Sequence, residues 1–284
     1  MVKFFDAGFA NPAAFDFRLG LTSGVPMPTD VPSSGTLYLT PYGGNRLCLY
    51  DGGNWHLITS AELAIPLASV VAGTPYDVFL YLTTAPAFTA ELTAWSSASA
   101  RSGYTIGFQD GVPSKSTDPT RRYAGTVYGS GAGTVADTAT QRFVWNCYNP
   151  RRRRLVRMDP AGSWTYTATT ARQANANPAN KVELVCGLTL SLLDLTVVAT
   201  FTSGVAQPGP THYIGEDALA ASAESLYTAE SPTLGGTYFV WNQVRLTKVP
   251  AAGYHTYYWL EYGSGTACTF YGGPNSGLVG WIEC

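Results

Sequence analysis

Residues 36–59 read TLYLTPYGGNRLCLYDGGNWHLIT. Aromatic and aliphatic residues alternate with polar ones in three runs, which are separated by Gly43–Gly44 and Asp51–Gly53. Alternation with a period of two is typical of half-buried strands, and Gly-Gly and Asp-Gly breaks are typical of hairpin turns. This stretch therefore predicts a three-stranded antiparallel meander.

The same alternation continues along the rest of the chain. In the run that follows Gly73, Tyr76, Val78 and Leu80 fall on one face, and residues 90–95 are predicted to pair with this strand. Because no fixed repeat period is visible, a propeller or solenoid is not expected. The further segments predicted as strands are 121–128, 141–148, 163–167, 181–186, 195–200, 237–241, 255–262 and 266–271.

These patterns predict an all-β fold with two antiparallel β-sandwich or barrel-like lobes and an extended N-terminal arm. The arm comprises residues 1–20, the first lobe 21–150 and the second lobe 151–284. We also expect residues 184–201 to be a buried strand and residues 218–229 to contain a helical turn.

The composition excludes several function classes. The chain has 284 residues, of which 13% are charged, against roughly 25% in a typical soluble domain. It also contains 30 Gly and 18 Pro, and its net charge is −2. This balance creates no field that would attract nucleic acid or an anionic membrane, so neither is expected as a partner. We find no signal peptide and no run of about 20 apolar residues, so the chain is expected to be made as a soluble protein in the cytoplasm.

The first 20 residues contain five Phe and little strand alternation. Such an apolar arm would gain stability by docking on a partner. The alternative is a first strand and loop that fold back on their own domain.

The chain has five cysteines, at positions 48, 147, 186, 268 and 284, with no Cys-x-x-Cys pair and no His at zinc-ligand spacing. We therefore predict neither a metal site nor a cofactor. Cys48, Cys147 and Cys186 lie in apolar runs, as expected of small buried residues. Cys284, on a chain end expected to be mobile, is a candidate for an inter-subunit disulfide.

The one concentrated charge in the chain is an arginine cluster, Arg151–Arg154 with Arg157. Arginine is favoured for bidentate pairing with carboxylates at interfaces, so the cluster predicts a subunit or partner interface. An ordinary solvated loop and a nucleic-acid contact are the alternatives. Aromatic residues near the end of the chain, Tyr254, Trp259 and Tyr262, would suit contact with protein or carbohydrate, but the same pattern also fits a strand buried on both faces.

Catalytic patterns are weak. None of the three histidines belongs to a recognisable motif, and GxSxG, HExxH, P-loop and GxGxxG motifs are absent from the sequence. A pair of carboxylates would be needed to hydrolyse a glycan, so we considered a depolymerase, but we predict that the protein is not an enzyme. The carboxylates considered are Asp51, Glu91, Asp110, Glu183, Glu216, Asp217 and Glu261.

Several motifs, taken in order, resemble a family of bacteriophage and prophage virion proteins. The resemblance spans roughly residues 20–284, and the chain departs from the family pattern at Cys48, Cys147 and Cys284. The segments that carry it are 37–55, 76–79, 92–95, 109–111, 121–126, 142–149, 163–166, 172–175 and 254–262.

This resemblance implies a structural component of a tailed-phage virion, located in the virion after assembly in the host cytoplasm. The protein would be an oligomeric appendage of the head, collar or tail fibre, or a decoration protein, and would dock on other virion proteins. A homotrimer is the expected oligomer, and no catalytic residues of the family are known to carry over. The alternative is a receptor-binding module that recognises host-surface glycan.

Overall fold

The all-β prediction is confirmed by the computed structural model, which describes residues 11–27, 29–203, 210–229, 238–266 and 268–284. Within these ranges the only helical segments are two 3₁₀ turns, Ala174–Ala176 and Gly273–Asn275. Among the described residues no helix is long and apolar enough to span a membrane.

The residues that the structure describes form twenty-five strands. The first twelve are β1 Phe17–Gly20, β2 Val31–Ser34, β3 Thr36–Pro41, β4 Arg46–Tyr50, β5 Trp55–Thr59, β6 Leu63–Pro66, β7 Pro75–Thr84, β8 Ala87–Ala94, β9 Ile106–Gln109, β10 Val112–Lys115, β11 Asp118–Gly131 and β12 Thr134–Thr138. The remaining strands are β13 Gln141–Arg142, β14 Val144–Asn146, β15 Arg152–Arg157, β16 Ser163–Tyr166, β17 Arg172–Gln173, β18 Lys181–Cys186, β19 Leu193–Ser203, β20 Thr211–Glu216, β21 Leu226–Ala229, β22 Tyr238–Lys248, β23 Gly253–Tyr262, β24 Cys268–Tyr271 and β25 Gly277–Glu283.

A sheet of thirteen strands forms the centre of the molecule. Eight of its strands run in the order β17-β23-β18-β13-β12-β11-β10-β9. Strands β2, β7, β14 and β20 pair with members of that path, and β8 pairs with β7. A seven-stranded sheet has the order β15-β25-β19-β22-β21, with β16 and β24 attached. Strands β1, β3 and β6 form a small sheet, and β4 and β5 form a separate hairpin.

The central sheet packs against other strands on both faces. In β7, Val78 and Leu80 pack in a core with residues of the small sheet and the hairpin, such as Leu37. Phe79, on the opposite face, belongs to a second core that includes Leu195 of the seven-stranded sheet. Side chains of successive strand residues point to opposite faces, so one strand supplies two cores and the molecule has three β layers.

The predicted meander is wrong in one of its pairings. Strands β4 and β5 do form a hairpin, in which Tyr50 lies opposite Trp55. Strand β3 pairs instead with β1 and β6, which are separated from it by longer connections. The Gly43–Gly44 break is therefore a loop between two sheets rather than a hairpin turn.

The extended arm is wrong over its described part, and residues 1–10 lie outside the described residues. Phe17 is fully buried in β1, which pairs with β3, and Phe15 and Leu19 are also buried. The alternative of a first strand that folds back on its own domain therefore applies from residue 15 onward. Phe15 and Phe17 are therefore buried in a core of the same chain and need no partner protein to cover them.

Three other local predictions need correction or restatement. Residues 184–201 belong to two strands, β18 and β19, rather than to one. The described part of 218–229 has no helix and ends in strand β21. The central sheet also continues across the predicted lobe boundary at residue 150, because Gln141 of β13 pairs in parallel with Glu183 of β18.

Candidate functional site

The outer face of the seven-stranded sheet exposes apolar side chains to solvent. In β22 the side chains alternate, with Val244 and Leu246 buried and Trp241 77% exposed. Strand β19 follows the same rule, with Val197 buried and Val198 exposed. The inner side chains pack against the central sheet, so the outer ones are left facing solvent.

Three exposed apolar side chains lie on this outer face. Val198 of β19 lies opposite Gln243 of β22, and Trp241 lies two pairs further along, opposite Thr200. Leu226 of β21, 79% exposed, lies opposite Arg245 on the other side of β22. We call Val198, Leu226 and Trp241 the outer apolar patch. The patch was not predicted from the sequence. The available signal was the alternation in β22, which points the side chain of Trp241 away from the face that its buried neighbours occupy.

Charged side chains on the same face pair with each other. Arg245 holds Asp194 by two hydrogen bonds, 2.9 Å from Nε to Oδ1 and 2.8 Å from the second guanidinium nitrogen to Oδ2. Arg152 lies 3.5 Å from the carboxylate of Glu283 and stacks over the ring of Trp281, 4.1 Å from its centroid. The face therefore exposes apolar surface without a large excess of unpaired charge.

Two other members of the arginine cluster bind within the chain. Arg153 is buried, and its guanidinium lies 2.9 Å from Oδ2 of Asp137. Arg151 donates from Nε to the hydroxyl of Tyr42 at 2.6 Å. Arg153 is therefore held inside the folded chain, which makes it a poor candidate for a partner interface, whereas Arg151 stays exposed beside Tyr42.

The last two members differ from each other. Arg157 donates from Nε to Oδ1 of Asn180 at 3.0 Å and is half-buried. Arg154 is exposed, and among the described residues its side chain has no charged or hydrogen-bonded partner. Since Arg152 and Arg154 point outward from β15 and Arg153 points inward, the cluster does not act as one continuous strip.

The prediction of a mobile, accessible Cys284 is wrong. Its side chain is 3% exposed, its backbone N–H donates to the carbonyl of Arg151 at 3.0 Å, and its carbonyl accepts from Arg18 at 3.0 Å. Burial raises the pKa of its thiol to about 12. All five cysteines are unpaired, so the structure offers no support for an inter-subunit disulfide.

The aromatic residues predicted to form a surface for carbohydrate do not lie together on the surface. Trp259 is fully buried and donates from Nε1 to Nδ1 of His212 at 2.9 Å. Tyr254 is half-buried, stacks on Tyr128 with ring centroids 4.2 Å apart, and donates its hydroxyl to Glu183. Tyr262 is half-buried as well. The alternative of a strand buried on both faces fits this segment better.

Three potential metal ligands lie within 4.8 Å of one another: Glu216, Asp217 and His255. His255 donates from Nδ1 to Asp217 Oδ2 at 2.9 Å and from Nε2 to the carbonyl of Ala251 at 3.0 Å. Lys248 lies 2.9 Å from Glu216 Oε2. A metal ion would have to displace these contacts. We therefore assign the cluster to hydrogen bonding between the ends of β20, β22 and β23 rather than to metal binding.

The other carboxylates that were considered for glycan hydrolysis also have partners within the chain. Glu261, fully buried, accepts from Trp164 Nε1 at 2.5 Å and from Arg172 Nε at 2.7 Å, and burial raises its pKa. The remaining pairings are Glu91 with Lys115 and Arg121, Glu183 with Lys181, Asp51 with His56, and Asp110 with Trp55.

Comparison of the chain with protein-family models and with curated proteins gives no match.

Proposed function

We propose that the chain is a non-enzymatic structural component of a tailed-phage virion, assembled as a homotrimer that docks on other virion proteins. The observation that carries this proposal is the outer face of the seven-stranded sheet, where Trp241, Leu226 and Val198 are exposed together. Exposed apolar side chains that gather on one face of a protein mark interaction sites. The resemblance of residues 20–284 to phage virion proteins supports the same role.

The size of the outer face suits an interface between copies. Strands β19 and β22 have eleven residues each, which is about 35 Å at roughly 3.3 Å per residue. Strands β15, β25 and β21 are shorter, with six, seven and four residues, so at about 4.8 Å per strand the face covers on the order of 600 Å². A standard interface buries about 800 Å² on each partner.

We assign a second copy of this chain as the occupant of the face because of its charge pattern. Arg245 is paired with Asp194 and Arg152 with Glu283 within the face. Arg154, exposed on the same face, has no charged partner among the described residues. Because the other two arginines are neutralised, an identical copy meets little like-charge repulsion there, whereas a strongly charged partner would have to break these pairs.

The alternative of glycan recognition through Tyr254, Trp259 and Tyr262 is not proposed, because Trp259 is fully buried and the other two are half-buried.

Labelling of intact phage particles tests the virion assignment. An antibody raised against the recombinant chain, with gold-conjugated secondary antibody, is expected to label the shell, neck or tail in electron micrographs. Immunoblots of purified particles should detect the chain even where the epitopes are covered. Particles that give neither gold nor a blot signal, from a lysate that contains the chain, would contradict the proposal.

A further inference from the structure

Residues from three separate segments line an open pocket of about 260 Å³. Tyr50 and Asp51 come from the tip of the β4–β5 hairpin, Thr83 and Thr84 from the β7–β8 turn, and Thr120 from the start of β11. The side chains of Leu82 and Ala85 supply apolar lining. No sequence motif links these residues, because the fold brings them together from three separate segments.

Two of the hydroxyl groups that line this pocket are available to a ligand. Thr83 donates to the carbonyl of Ala87 at 3.2 Å, and Thr120 donates to Asp118 Oδ1 at 2.6 Å. Tyr50 and Thr84 have no hydrogen-bond partner for their hydroxyls among the described residues. Because a hydroxyl group both donates and accepts hydrogen bonds, each of these two groups can donate to a ligand hydroxyl or accept from one.

The pocket also has a fixed carboxylate. Asp51 Oδ1 accepts from the backbone N–H of Asn54 at 2.7 Å and of Gly53 at 2.8 Å, and Oδ2 lies 2.6 Å from Nε2 of His56. These hydrogen bonds, the one from Asn54 first, lower the pKa of Asp51 to about 2. The carboxylate is therefore ionised and held in place, and Oδ2 retains a lone pair for a second donor.

Aromatic surface lies beside the pocket. The ring of Trp55 packs against Tyr50, with centroids 5.3 Å apart. Trp55 Nε1 donates to Asp110 Oδ2 at 2.9 Å, and Gln109 donates to the same oxygen at 3.0 Å. This contact fixes the indole, which in turn packs against Tyr50, the aromatic ring that lines the pocket.

We propose that this pocket binds a saccharide, in the form of one neutral sugar ring. A sugar presents hydroxyls that donate and accept, together with a C–H face, and the pocket offers free hydroxyls, a carboxylate acceptor and an aromatic ring. The charge on Asp51 disfavours an anionic ligand, and an apolar ligand would leave the hydroxyls of Tyr50 and Thr84 buried and unsatisfied. The volume is below the roughly 300 Å³ at which pockets for drug-sized ligands begin, which suits a single ring.

This inference goes beyond the proposed assembly role and does not depend on it, since the pocket and the outer apolar patch are formed by different strands. A role in the particle does not require an occupied pocket.

Saturation-transfer difference NMR on the full chain tests the proposal. The probes are the methyl glycosides of glucose, galactose, mannose, rhamnose and N-acetylglucosamine at millimolar concentration. At least one is expected to bind, and the double variant Tyr50→Phe, Thr84→Val is expected to raise its Kd at least tenfold. Both substitutions remove a hydroxyl that has no partner in the fold, so the variant is expected to keep its thermal stability.

The matched control is the double variant Tyr38→Phe, Thr165→Val, which removes two hydroxyls from positions outside the pocket that also lack hydrogen-bond partners among the described residues. Its Kd should equal that of the wild type. The proposal is overturned if none of the five glycosides binds the wild type, or if the pocket variant binds as tightly as the control.

Discussion

The guanidinium of Arg153 lies 2.9 Å from the carboxylate of Asp137, in a buried ion pair that joins the seven-stranded sheet to the central sheet. Arg142 lies 3.3 Å from the other oxygen of the same carboxylate. Burial raises the pKa of Asp137, and the two arginines act in the opposite direction. Arg153 therefore serves the packing of two β layers.

Replacement of Arg153 by Met is expected to lower the free energy of unfolding by about 3–5 kcal/mol, because it leaves Asp137 as a buried carboxylate with one partner fewer. Arg154→Ala, on the same strand but exposed, is the control and should change it by less than about 0.5 kcal/mol. Urea titration followed by fluorescence measures both. Equal effects of the two substitutions would contradict the assignment.

His212 makes stability fall at low pH. It is fully buried, and this burial lowers its pKa from 6.5 to about 3. Between these two pH values His212 is protonated in the unfolded chain and neutral in the folded chain. The free energy of unfolding therefore decreases as the pH falls through this window. Between pH 7.5 and 5.0 the loss is about 2 kcal/mol. In His212→Asn this part of the pH dependence should disappear, and an unchanged pH profile would argue against a neutral buried imidazole.

His255 should have the opposite effect on the pH dependence of stability. Burial alone would lower its pKa, but hydrogen bonds to Asp217 and to the carbonyl of Ala251 outweigh burial and raise it. The stabilisation is therefore fully present below pH 6.5 and is lost as the pH rises through the folded-state pKa. His255→Gln is expected to cost about 1.5–3 kcal/mol at pH 5.5 and less at pH 9, as measured by urea titration at both values. A larger cost at pH 9 would contradict a charged imidazole here.

The thiols should be unreactive in the folded protein. Cys284 is buried and burial raises its pKa to about 12, so its thiolate is scarce at pH 8. We expect 5,5′-dithiobis(2-nitrobenzoic acid) to label it slowly in buffer and rapidly in guanidinium chloride. Comparison with the Cys284→Ser variant shows which part of the labelling comes from Cys284. Non-reducing electrophoresis should give a single monomer band, and a dimer band that reductant removes would show that the buried position is incorrect.

Strand segments were predictable where the signal is local. Asp51–Gly53 between two alternating runs correctly predicted the β4–β5 hairpin. The partner of β3 was not predictable, since its pairing with β1 depends on burial of Phe17 in a core formed by distant strands. Hydrophobic alternation gives the two faces of a strand, but it does not say which strand lies beside it.

The candidate sites show the same limit. Period-two alternation over β15 points the side chain of Arg153 to one face of the sheet and those of Arg152 and Arg154 to the other. The prediction of a single arginine cluster did not use this alternation. The burial of Trp259 between two layers depends on the seven-stranded sheet, and the pocket at Tyr50 depends on loops 30 or more residues apart. These juxtapositions arise from tertiary packing and leave no local sequence signal.

Sedimentation equilibrium of the full chain tests the central claim most directly. The wild type is expected to sediment as a trimer, at three times the chain mass of 30.3 kDa. The triple variant Val198→Thr, Leu226→Thr, Trp241→Thr should be a folded monomer, because it removes the outer apolar patch. Phe108→Thr, which removes an exposed aromatic residue from β9, should remain a trimer. A monomeric wild type, or a triple variant that stays trimeric, would contradict the account.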